Sequence, residues 1–83
     1  MENEKTKLSE REFRVLYLCD DSLGLIDLIT KELDISKEEI KEILDNLIER
    51  GIIEKGEHEA SEGRWYYPTE FGKKCLKEND IIS

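Results

Sequence analysis

Eighty-three residues make one small domain with a modest core, so caps, turns and subunit contacts weigh heavily in its stability. Thirteen Lys and Arg against 21 Asp and Glu leave a net charge of −8. That balance argues against a module whose affinity rests on broad phosphate neutralisation, although a local basic patch can survive in an acidic chain.

No apolar run approaches membrane-spanning length, and Met1 to Lys7 alternates charges without an apolar stretch. No membrane span and no signal peptide are therefore expected, and a cytoplasmic location follows. Gln is absent, Ala occurs once and Ile ten times, a bias compatible with a thermophilic source or with an AT-rich genome.

Residues 1–8 are polar and predicted to form a flexible N-terminus. Ser9 with Glu12 spells a capping box, and Leu8 with Phe13 a hydrophobic staple, so the first helix starts there. Its apolar residues Phe13, Val15, Leu16, Tyr17, Leu18 and Cys19 spread over more than one stripe, which predicts burial on two sides, one of them against another chain. Asp20 to Gly24 link it to a second helix over about Leu25 to Leu33.

Only Asp34 and Ile35 separate that helix from a third, the spacing of a helix-turn-helix. Ser36 with Glu39 predicts a second capping box, and Ile35 with Ile40 a second staple. Ile40, Ile43, Leu44, Leu47 and Ile48 form a single apolar stripe, and Gly51 supplies a left-handed stop.

Beyond Gly51 the period changes. Ile52 and Ile53 read as a short strand, residues 57–63 as a polar loop, and Arg64 to Tyr67 as a returning aromatic strand closed by Pro68. Thr69 then caps a last helix carrying Phe71, Cys75 and Leu76. The domain is predicted to span 9–79, followed by a tail at 80–83. Cys19 and Cys75 are far apart and unaccompanied by CxxC spacing, so they are read as small buried hydrophobes in a reducing compartment. His58 stands alone, and no metal or other cofactor is implied.

LDISKEEIKEILDNLIERGIIEK, followed by GRWYYPTEFGKKCL, resembles the winged helix-turn-helix family of small prokaryotic transcriptional regulators over about residues 9–78. The fold class this implies is α+β: a three-helix core, a two-stranded β wing and a C-terminal helix. In the family's pattern an aromatic three residues before the threonine and the residue just before it point inward, here Tyr66 and Pro68. The family's docking mode places the exposed N-terminal half of the third helix in the major groove, with the wing on the backbone or minor groove. Carried over by position, the DNA-binding candidates are Ser36, Lys37, Glu38, Lys41, Glu42, Asp45 and, in the wing, Arg64. The implied function is a DNA-binding transcriptional regulator of duplex DNA acting as a homodimer.

The charge of this reading surface departs from the pattern. Ser36 to Arg50 holds Lys37, Lys41 and Arg50 against Glu38, Glu39, Glu42, Asp45 and Glu49, a net of −2. Glu57, Glu59 and Glu62 surround the wing's Arg64. Carboxylates can accept from cytosine but repel phosphate. The alternative is an acidic winged-helix module docking on a basic protein of the transcription or replication machinery through Glu38, Glu42, Glu62, Trp65 and Tyr67. No nucleophile elbow, phosphate-cradling glycine loop or His beside Cys or Ser is present, so no catalytic residue is assigned and an enzyme is not expected.

Overall fold

The computed structural model describes residues 7–21, 23–60 and 63–82, with the side chains of 57–64 and 80–82 left aside. The described elements run α1 (Glu10–Asp20), α2 (Ile26–Leu33), α3 (Lys37–Glu49), β1 (Ile53–Ala60), β2 (Gly63–Pro68) and α4 (Glu70–Ile82). The expected flexible N-terminus lies, at residues 1–6, outside the described residues.

Local chemistry explains most boundaries. Ser9 Oγ accepts from the Glu12 N–H while the Glu12 carboxylate accepts from the Ser9 N–H at 2.8 Å, so the first capping box is complete. The second is half formed. Ser36 Oγ accepts from the Glu39 N–H at 3.3 Å, but the Glu39 carboxylate pairs with Arg11 of α1 instead of returning to the cap. A cationic partner outcompetes a neutral backbone N–H for that carboxylate.

At the other end of α3, the Ile52 N–H donates to the Leu47 carbonyl and the Gly51 N–H to the Ile48 carbonyl, both at 2.9 Å. With Gly51 at φ 76° this is a Schellman stop. Asp34 closes α2 in the left-handed region at φ 54°, which turns the chain sharply into α3.

Thr69 fastens three elements together. Its hydroxyl accepts from the Gly72 N–H at 3.0 Å and lies 2.6 Å from the Gly51 carbonyl oxygen, to which it donates. Its own N–H donates to the Ile52 carbonyl at 3.0 Å. The predicted cap therefore also fixes where α4 leaves the sheet.

The wing is longer than the sequence suggests. β1 continues through residues 57–60, expected as loop, and pairs antiparallel with β2 from Ile53↔Pro68 to Ala60↔Gly63, with an irregularity between Lys55 and Glu59. Polar residues carry little strand signal, but the ladder here is made by backbone groups that any sequence supplies. At the other end of the chain, the helical backbone of α4 runs to Ile82, where a tail was expected.

Val15, Leu16, Cys19, Ile29, Ile40, Leu44, Leu47, Ile52, Ile53 and Cys75 are essentially inaccessible and form one core, joined by Leu18 and Tyr66. The buried residues of α1 share one face, and on the opposite face, where the sequence predicted burial as well, Tyr17 stays 56% exposed. Burial pushes the Cys19 thiol up to about 12 and raises Cys75 as well, so both remain protonated and behave as small apolar side chains.

Candidate nucleic-acid interface

The turn at Asp34 sets α3 across α2 with its N-terminal half outward. Ile40, Leu44 and Leu47 anchor the inner face in the core. Ser36, Lys37, Glu38, Lys41, Glu42 and Asp45, the six α3 residues proposed from the sequence, are all exposed. They are gathered on a single surface.

The local charges are partly compensated. The Lys37 Nζ lies 3.7 Å from Asp27 on α2, both side chains largely exposed, a pair worth about 0–1 kcal/mol. Arg11 neutralises Glu39, which removes one carboxylate from the field of the helix N-terminus. Lys41 has no ion-pair partner among the described residues, although Asp45 lies one turn away. Ser36 Oγ spends a lone pair on the Glu39 N–H and keeps its own proton available as a donor.

The wing supplies the second element. Tyr66 points into the core at 7% exposure, so its neighbours Trp65 and Tyr67 face the opposite side. Trp65 is half-buried and Tyr67 45% exposed. Tyr67 packs against Gly56, where an added Cβ would come within 2.9 Å of its ring. The Tyr66 N–H donates at 2.8 Å to the Gly24 carbonyl, tying the α1–α2 link to β2. Arg64 has its backbone in β2 opposite Glu59, its side chain outside the described ones, and Glu62 lies outside the described residues altogether.

Reading by sequence missed the groups that hold α3 in place. Glu12 of α1 accepts from Asn46 Nδ2 at 2.8 Å and from Arg50 Nη1 at 3.4 Å, and Arg50 Nη2 donates to the Lys7 carbonyl at 2.8 Å. With Arg11–Glu39, these contacts fix α3 to α1 at both of its ends. The capping box marked Glu12 as important locally, and nothing marked its distant partners.

No protein-family model and no curated protein matches the chain. Solved structures do. The apo MarR protein of E. coli superposes with a TM-score of 0.82 at 17% identity, over 92% of this chain and 58% of that one. ZitR of Lactococcus lactis, as a point mutant, gives 0.78 at 22% identity over 90% and 52%. A MarR family regulator from Neisseria meningitidis gives 0.73 at 26% identity over 90% and 56%. The chain therefore spans little more than half the length of these proteins. Among the described residues no helix is long and apolar enough to cross a membrane. Three core helices, a two-stranded wing and a fourth helix, matched over nine-tenths of the chain, make this a winged helix-turn-helix domain.

Proposed function

We propose that this chain is a DNA-binding transcriptional regulator that reads duplex DNA with α3 and the wing, as a homodimer in the cytoplasm. The observation that carries the reading is the presentation of α3. All six of its candidate residues stand in solvent on an outward half-helix that α1 and α2 hold rigidly. The Neisseria meningitidis neighbour, a MarR family regulator, supports it.

Lys37, Lys41 and Arg64 are assigned to phosphate or guanine, with Ser36 on the backbone beside the helix N-terminus. Glu38, Glu42 and Asp45 are assigned to discrimination. Carboxylates on a reading face suppress non-specific binding and reward only a site that offers a donor such as cytosine N4. The expected consequence is low non-specific affinity with a high ratio of specific to non-specific binding.

Charge substitution tests this. On mixed-sequence duplex, Lys41→Ala should weaken binding by about tenfold, the equivalent of one lost charge-assisted contact of about 1.5 kcal/mol. Lys37→Ala should do less, because Asp27 already draws on that ammonium. Joint replacement of Glu38 and Glu42 by Gln should strengthen mixed-sequence binding. Weaker binding of the Gln variant to duplex, with capture of a basic protein lost at the same time, would favour the protein-docking alternative through Glu38, Glu42, Glu62, Trp65 and Tyr67.

A further inference from the structure

α3 meets opposite charges on its two flanks. On the α2 side Lys37 faces Asp27, and on the α1 side Glu39 faces Arg11. Glu39, Ile43, Asn46 and Arg50 form one stripe by helical spacing, and Arg11 and Glu12 of α1 hold it at Glu39, Asn46 and Arg50. Arg11 therefore stands beside the first turn of the half-helix that the functional reading inserts into DNA.

Glu39 gives to Arg11 the carboxylate that could have closed its own capping box with Ser36. The exchange adds little stability, because an exposed ion pair is weak and a closed box would serve the helix as well. The Arg11 side chain is 59% exposed and commits only Nη1 to Glu39, with no other hydrogen bond among the described residues. The rest of its guanidinium fork stays open. A helix with its side chains is about 10–12 Å across and the major groove about 12 Å wide, so groups flanking an inserted helix meet the phosphate walls. Asp27 repels the wall on its side, whereas Arg11 offers donors to the other.

We propose that Arg11 binds a DNA phosphate beside α3 as one half of a neutral pair, with Glu39 as the residue that positions it. A bare cation at this place would attract phosphate of any sequence and release its counterions. A guanidinium whose charge Glu39 cancels attracts none from a distance. It contributes the directional N–H···O bonds of its fork, which form only when the duplex is seated in register. Base contacts decide whether that register is reached. The pair therefore strengthens the specific complex and leaves non-specific binding nearly untouched, in keeping with a reading helix of net −2. The proposal rests on the DNA-binding reading above and adds to it a residue outside α3 and the wing.

The experiment titrates the full chain against two probes, a mixed-sequence duplex and a duplex that the native protein selects from a randomised pool. Both titrations are repeated across a range of salt, with circular dichroism confirming that each variant is folded. Arg11→Ala should weaken binding to the selected duplex by about tenfold and to the mixed duplex by less than about twofold, with the salt slope unchanged. Arg11→Lys keeps a cation for Glu39 but loses the fork, and should bind the selected duplex about as weakly as Arg11→Ala. Glu39→Gln unmasks the cation, so mixed-sequence binding should strengthen and the salt slope steepen by about one. Full recovery by Arg11→Lys overturns the proposal, because any cation beside Glu39 would then suffice, as in a structural pair. Equal losses on both duplexes with a shallower slope overturn it too, by making Arg11 an ordinary phosphate cation. So does a pool that yields no preferred duplex. A native chain that binds neither probe at low salt defeats the functional reading itself, whereas native binding matched by Arg11→Ala defeats this proposal alone.

Discussion

Gly72→Ala is expected to destabilise the domain by about 3 kcal/mol or more, enough to unfold a protein of this size near physiological temperature. Helix propensity alone predicts the opposite, since Ala in a helix is favoured over Gly by about 1 kcal/mol. Space decides against propensity here. A Cβ at Gly72 would stand 2.0 Å from the Ile52 carbonyl oxygen and 3.1 Å from its carbon. That carbonyl cannot move aside cheaply, because it accepts the Thr69 N–H at 3.0 Å and lies 3.1 Å from the Thr69 hydroxyl oxygen. Relief therefore displaces α4 and its cap together, adding about 1 kcal/mol of lost capping to an overpacking cost of about 3 kcal/mol or more, against the propensity gain of about 1 kcal/mol. A thermal melt followed by circular dichroism checks this: the variant should melt at least about 12 °C below native, at about 4–8 °C per kcal/mol for a domain this small. A melt within a few degrees of native would show that the close approach of α4 to the sheet has been misread.

Glu12→Ala should be the second large effect, on stability and on α3 together. The carboxylate accepts from the Ser9 N–H and from Asn46 Nδ2, both at 2.8 Å, and from Arg50 Nη1 at 3.4 Å. Its side chain is 16% exposed and that of Arg50 26%, so truncation leaves a half-buried cation without this anion. Arg50 keeps its bond to the Lys7 carbonyl, which limits the loss. A cost of about 1.5–3 kcal/mol is expected from one lost cap and one charge-assisted contact. Glu12→Gln, which keeps the stem and one acceptor oxygen for either Ser9 or Asn46, should cost less. Urea unfolding of the three proteins gives the comparison. Equal loss in the two variants would mean that the ionised carboxylate alone holds α1 to α3, whereas a Gln variant as stable as native would mean that packing of the side-chain stem does.

What the sequence exposed and what it concealed divide along contact range. The Ser9–Glu12 box, the Gly51 stop and the Thr69 cap are local geometries, spelled within a few residues, and each is where the spacing put it. Tyr66 in the core and Tyr67 outside follow from strand alternation, also local. The Ser36–Glu39 box failed to close because Arg11, 28 residues away, takes the carboxylate. β1 ran past its apolar start because its pairing depends on what lies opposite, which composition at 57–60 does not encode. For the same reason the exposed face of α3 was legible as a helical stripe, whereas Asp27 beside Lys37 and Glu12 beneath Asn46 required the fold.

The central claim is that an acidic chain reads DNA through a few well-placed cations. It is tested most directly by titrating the folded native protein against a short mixed-sequence duplex at several salt concentrations. With Lys37, Lys41 and Arg64 as the phosphate contacts, the logarithm of the binding constant should fall against the logarithm of salt with a slope of about −3 per protomer. No complex at low salt, or an affinity that does not fall as salt rises, would contradict it.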